Sequence, residues 1–460
     1  MKRLLSIGSL LVANFFLPLV ASAHAFGQQY TLPLPQSLYI TGGICALLAS
    51  FAILALYNTP QPDIVLHEHV YPLRPKFLPK LLSGLGIFFL FFTIIAGAFG
   101  SQLLYANPAP LLFWIVLLLY ITYANALVGG LWNFSNPFKN ICAWAFEGVQ
   151  PLLSYPQRLG YMPALILYYL LIWVELFSNG AGANALFLSI GLQCYFALCL
   201  IGSFLFGTES WFRYGDFFSV FFNLIGRAAP LQLQNNTVTA MPPGERLVNE
   251  RAERFSLLIF ILFMLSSTAF DGLRDTSAWV NAILSLPLAL SDYFVLLSEI
   301  ALLLSPFLFC GLYLIAIWLT KLVIRNTQSV KTLALRFAFS LIPIAIVYNF
   351  AHYFGLLYSD AQYLIPIASD PFGLGWNLFG TSGYSPNLSI IAPQTVWYIQ
   401  FGAVVAGHIF AAYTAHRIAL REFITRREVL LGQVPMMLLM VFYAALGLWI
   451  LSAPYAAGAL

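Results

Sequence analysis

Charge is what this 460-residue chain has least of: Asp, Glu, Lys and Arg make up 8% of it, where a water-soluble domain carries about a quarter. So few ionised side chains cannot cover a water-facing surface, which excludes an ordinary soluble fold. The net charge of +4 is scattered through short connectors, with no polybasic tract or stripe, which excludes a nucleic-acid role. Cysteine is scarce too: Cys45, Cys142, Cys194, Cys199 and Cys310 lie in apolar runs with no CxxC pair, and read as small buried hydrophobes rather than disulfide or metal partners. Nor is there an HExxH, GxSxG or Walker A pattern, so no local motif by itself carries a reaction. What fills the chain instead is apolar: 60% hydrophobic residues and 16% aromatic, with 41 Phe, 24 Tyr and 10 Trp. Aromatics at that density suit packing in a bilayer and the half-wet belts at its two surfaces.

Residues 1–23 place Lys2 and Arg3 before an apolar stretch that ends in Ala21-Ser22-Ala23, the form of a cleaved secretory signal peptide. The alternative is an uncleaved anchor helix. Cleavage would leave His24 as the first residue of a single transmembrane domain, 24–460. Apolar segments approaching the length of about 20 residues needed for one crossing then fall near 37–57, 82–105, 109–128, 163–178, 185–206, 255–269, 293–320, 333–357, 396–416 and 430–450. The fold expected is an all-α, polytopic transmembrane bundle of about ten helices. Of the 21 basic residues, all but Lys2, Arg3 and Arg274 then fall on one side. That asymmetry orients the chain by the positive-inside rule, with the mature amino end periplasmic in a bacterial inner membrane. Two connectors exceed the usual length: an inner loop, 207–254, and an outer loop, 358–395, rich in Pro, Gly, Ser, Asp and Asn.

Six histidines in so apolar a chain each need a reason. His67 and His69 form a pair in an inner connector and read as solvated, with metal binding as the alternative. His416 is expected among lipid headgroups. His24, His352 and His408 are placed so that all three can approach one outward-facing cavity, and ionisable groups at membrane depth tend to face the bundle interior or a watery path. The plain alternative is an interhelical hydrogen bond. Glu175, Asp271, Asp275, Asp292, Glu299, Asp360 and Asp370 lie on the same side. Imidazoles with carboxylates are a ligand set for zinc, manganese or copper, and the carboxylates double as general bases. A terminal His24 adds its own α-amine, a pair that copper favours. Asp370-Pro371 reads equally well as a turn, and Asp271 as a helix-end residue bonded to Arg274.

The ordered segments HAFGQQYTLPLPQSLYI, LWNFSNPFK, FGTESWFRYGDFFSVFFNLIGRAAP, FDGLRDTSAW, NFAHYFGLL, SDPFGLGWNLFGT and VWYIQFGAVVAGHIFAAYTAH resemble a bacterial membrane-protein family labelled fenitrothion hydrolase, over most of the chain. The resemblance implies hydrolysis of organophosphate triesters, and its matching positions include His24, Trp211, Asp216, His352, Asp370, Trp376 and His408. Arg417 stands where an acid is expected after His416, which removes support for a catalytic His416. On this reading His24, His352 and His408 are metal ligands, Asp370 or Asp271 is a ligand or general base, and Trp376 is a wall for an aryl leaving group. The lipid bilayer and a small-molecule substrate are the expected partners. Two alternatives stay open: a transporter or copper-handling protein, and an assembly factor docking through 207–254.

Overall fold

An apolar run placed in lipid must satisfy its backbone polar groups internally, and a helix does so within one segment. The computed structural model describes residues 35–57, 69–73, 76–234, 237–454 and 456, and among them builds a polytopic helical bundle. The apolar helices are α1 (Gln36–Tyr57), α2 (Leu78–Phe99), α3 (Pro108–Leu127), the shorter α4 (Met162–Phe177) and α5 (Ala185–Phe206). After a short buried helix, α6 (Phe217–Gly226), come α7 (Phe255–Arg274), α8 (Phe294–Ile324), α9 (Ile342–Tyr358), α10 (Pro393–Glu422) and α11 (Arg426–Ser452). Nine of the described helices are long and apolar enough to cross a membrane, with α9 counted together with its flanking turns; α4, of 16 residues, is the short one. These positions match the ten apolar segments expected. Signal segment 1–23 and His24 lie outside the described residues.

Burial sorts the helices by depth. Helix α7 is almost wholly enclosed, while α1 and α2 turn most of their side chains outward, as lipid-facing helices do. Helix α9 packs on both α7 and α10, so residues of α9 meet partners from two neighbours at once.

Charges collect at one end of the bundle. Glu245, 2% exposed, pairs with Arg417 at 2.9 Å and Arg421 at 3.3 Å, Lys139 pairs with Glu209 at 3.0 Å, and Arg336 bonds Glu422. The same end carries a small sheet of strands β1 (His69–Pro72), β2 (Val128–Gly129), β3 (Leu231–Gln234) and β4 (Thr237–Ala240) in the order β1-β4-β3-β2. The β3–β4 and β1–β4 pairs are antiparallel and β2 runs parallel to β3.

The expected inner loop 207–254 is therefore not a free connector. Its FFSVFFNLIG run forms α6, in which Phe217, Phe218, Phe221 and Phe222 are all buried. Asp216 caps this helix by accepting from Ser219 N at 2.8 Å, and it also takes the hydroxyl of Tyr195 on α5. Just before the cap, Trp211 packs where a Cβ on Gly202 or Gly215 would fall 2.2 or 2.6 Å from its ring, so both positions exclude a side chain.

Candidate functional site

A cavity of about 370 Å³ opens between α3, α4, α6, α7 and α9, in the size range of small-molecule sites. The first half of α3 shapes one wall. Over Leu112–Tyr120 it winds as a π-helix, a wider turn often found at functional sites, and it contributes Trp114, Ile115, Leu118 and Leu119 to the lining. Trp114 Nε1 donates to Gly182 O at 2.7 Å, which fixes its indole against the opposite rim. Phe217 and Phe221 of α6 line it together with Tyr168, which stacks on Phe217.

Polar groups converge on this otherwise apolar space. Tyr353 Oη lies 3.0 Å from Glu175 Oε1 and 2.9 Å from Asp271 Oδ2. Asp271 Oδ2 in turn lies 2.8 Å from His352 Nε2. The chain Glu175–Tyr353–Asp271–His352 thus ties α4, α9 and α7 together, and its Glu175 and Tyr353 members line the cavity. A phenol has one proton and cannot donate to two carboxylates at once, so both short contacts hold only if one carboxyl group carries a proton. Asn349, one turn before Tyr353, also lines the space. Its Oδ1 accepts from Tyr123 at 2.9 Å, which leaves its amide N–H groups as donors.

The mouth is built from two connectors. Asn107 caps α3, accepting from Ala109 N at 2.8 Å while donating to Ala96 O at 2.8 Å and Ser101 O at 2.7 Å. That pins the turn carrying Tyr105, whose ring stacks on Tyr363 with centroids 4.0 Å apart. Tyr105 Oη reaches Asp360 Oδ2 at 3.4 Å, and both residues line the cavity. Burial, with the Asp360 carboxylate beside it, pushes the Tyr105 phenol well above its ordinary value, so it stays protonated across physiological pH. Among the described residues, no Lys, Arg or His lines this cavity.

The residues singled out in the sequence separate in space. His352 and Asp271 sit together in the chain just described. His408 does not join them: its Nδ1 lies 2.8 Å from Val404 O, and the residue lines a second space of about 20 Å³ with Leu265, Ile344, Tyr348 and Tyr443. That volume is room for about one water. Asp370 spends its carboxylate on its own loop, accepting from Leu374 N at 2.8 Å and Gly375 N at 2.7 Å. Trp376, 42% exposed, packs on Phe372 outside the cavity. His416 is buried rather than among headgroups, and it pairs with Gln433 at 3.0 Å. Arg274 donates to Leu176 O. Among the described residues no three of His, Cys, Asp and Glu converge as a metal would require. The expected ligand set therefore does not assemble from His352 and His408, and His24 lies outside the described residues. Tyr353, Asn349, Tyr105 and Trp114 carry the site without having been singled out. The usable signal was Asn349, His352 and Tyr353, three polar side chains at i, i+3 and i+4 on one helix face.

Comparison with family models, curated proteins and solved structures finds no match for this chain.

Proposed function

We propose that this multi-pass membrane protein hydrolyses small, uncharged aryl esters of the phosphotriester class, with the cavity as its site and the Glu175–Tyr353–Asp271–His352 chain as its acid–base apparatus. The observation that carries the reading is an acid–base chain ending on a cavity that no basic side chain lines among the described residues. A phosphotriester is neutral and needs no cation to bind, whereas the diester anion it becomes is poorly held in such a space and leaves. The phosphoryl oxygen accepts from the Asn349 amide. Water beside Tyr353 gives up a proton to its oxygen as Tyr353 passes its own to Asp271, and the water oxygen attacks phosphorus. The aryl–oxygen bond to phosphorus breaks, and the carboxyl proton on Glu175 goes to the departing aryl oxide. Passage of the proton back from Asp271 through Tyr353 to Glu175 restores the starting state, and the P–OH of the diester acid gives its proton to solvent water as the anion leaves. His352 holds Asp271 in place throughout. The basic end faces the cytoplasm in this reading, so the cavity mouth faces the periplasm.

The test is aryl-alcohol release from fenitrothion by detergent-purified full-length protein. Turnover is expected, with Tyr353→Phe and Glu175→Gln each lowering kcat on the order of 100-fold at nearly constant KM. Absence of release by the native protein sinks the reading. One observation favours a second reading, proton-coupled movement of the same kind of solute: the acid–base chain joins three spanning helices. Uptake into proteoliposomes with the ester intact would select it.

A further inference from the structure

The cavity mouth holds a carboxyl group whose outer oxygen is only loosely engaged. Asp360 is 5% exposed; Ser359 Oγ lies 2.8 Å from both Gly355 O and Asp360 Oδ1 and has one proton to divide between them, and the Tyr105 hydroxyl stands 3.4 Å from Oδ2. Beside it is the ring of Tyr105, held in place by Tyr363, and the same cavity is lined by the indole of Trp114, held by Gly182 O. In the proposed mechanism the carboxyl proton of its chain rests on Glu175, so Glu175 does not duplicate this charge. A buried anion next to fixed aromatic faces, in a space lined by no described basic residue, is the arrangement that recognises a compact organic cation. The ring faces attract the cation through their quadrupoles, and the shielded site strengthens its attraction to the carboxylate.

We propose that the cavity binds small aryl-bearing quaternary ammonium ions, with Asp360 supplying the charge and Tyr105 and Trp114 the ring faces. This ligand class differs from the neutral ester and makes no use of the acid–base chain. The ammonium group sits at the mouth against Asp360, and its aryl group points inward toward the apolar wall.

The test is calorimetric titration of the detergent-purified full chain with benzyltrimethylammonium. Saturable binding is expected, about tenfold weaker in Asp360→Asn, several-fold weaker in Tyr105→Leu, and within about twofold of native in Tyr105→Phe, which keeps the ring. No saturable binding by the native protein, or unchanged binding in Asp360→Asn, overturns the proposal. Should Asp360→Asn fail to fold, the contrast between Tyr105→Leu and Tyr105→Phe decides, and equal binding by those two overturns it. Ammonium binding without ester turnover would leave this inference standing and remove the hydrolase reading; turnover without ammonium binding would do the reverse.

Discussion

A hydroxyl between two carboxylates is an unstable arrangement unless protons are shared, and that makes Tyr353 the residue on which the site turns. His352 and His408 offer the sharpest contrast in the molecule, because both are buried imidazoles with quite different neighbours. His352 holds the far end of the proton chain at 2.8 Å from Asp271, while His408 donates to its own helix and faces a space separate from the cavity. On the proposed mechanism His352→Ala lowers kcat about 100-fold and His408→Ala leaves it within about threefold, as steady-state kinetics on folded protein would show. An equal loss in both variants would restore the paired metal-ligand reading and remove this one. The ionisable members of the chain were legible in the sequence, since Glu175, Asp271 and His352 stand out in apolar runs. Tyr353 and Trp114 were not, because in a chain with 24 Tyr and 10 Trp no single ring stands out. Asp370 misled for the opposite reason. A carboxylate before Pro in a glycine-rich loop is conspicuous, yet here it binds that loop's own amides.

At the level of elements, the close approach of α9 and α10 holds the site's helix in register. Gly407 makes it possible: a Cβ there would lie 2.0 Å from Val347 Cγ2 and 2.8 Å from Val347 Cβ. Val is stiff at χ1 and cannot swing aside, so the helices themselves must part. Gly407→Ala is therefore expected to destabilise the protein by about 1–3 kcal/mol, and Val347→Ala in the same chain to recover part of that loss, a coupling that a double-mutant cycle of thermal unfolding in detergent would read. Additive effects of the two substitutions would show that the contact is not made. The spanning helices were plain from hydropathy, because lipid admits few alternatives to a helix. Helix α6 was not, since a ten-residue apolar run is too short to cross and its neighbours are charged. Only its Asp216 cap and the packing of Trp211 against Gly202 and Gly215 turn it into the bundle.

For the molecule as a whole, the distribution of charge bears on the proposed direction of ligand entry. Glu245, Glu250 and Glu422 bind arginines at one end, whereas the opposite end carries the long loop shaped by Asp370 and Ser369 and the mouth formed by Tyr105 and Asp360. On the proposed orientation, a bilayer charged on its cytoplasmic side retains the arginine-rich end there, and ligand would reach the cavity from the periplasm. Two exposed positions report on this without touching the site: Lys331, in the first turn after α8 and its connector, and Ser382, in the long loop. In cells with a permeabilised outer membrane, a single reactive cysteine placed by Ser382→Cys, with the five native cysteines replaced, is expected to react with a membrane-impermeant maleimide. The same background carrying Lys331→Cys is expected to react only after the inner membrane is opened. The reverse pattern would turn the cavity mouth to the cytoplasm, where an ester arriving from outside must first cross the bilayer, and would shift the weight of the proton chain from hydrolysis toward transport.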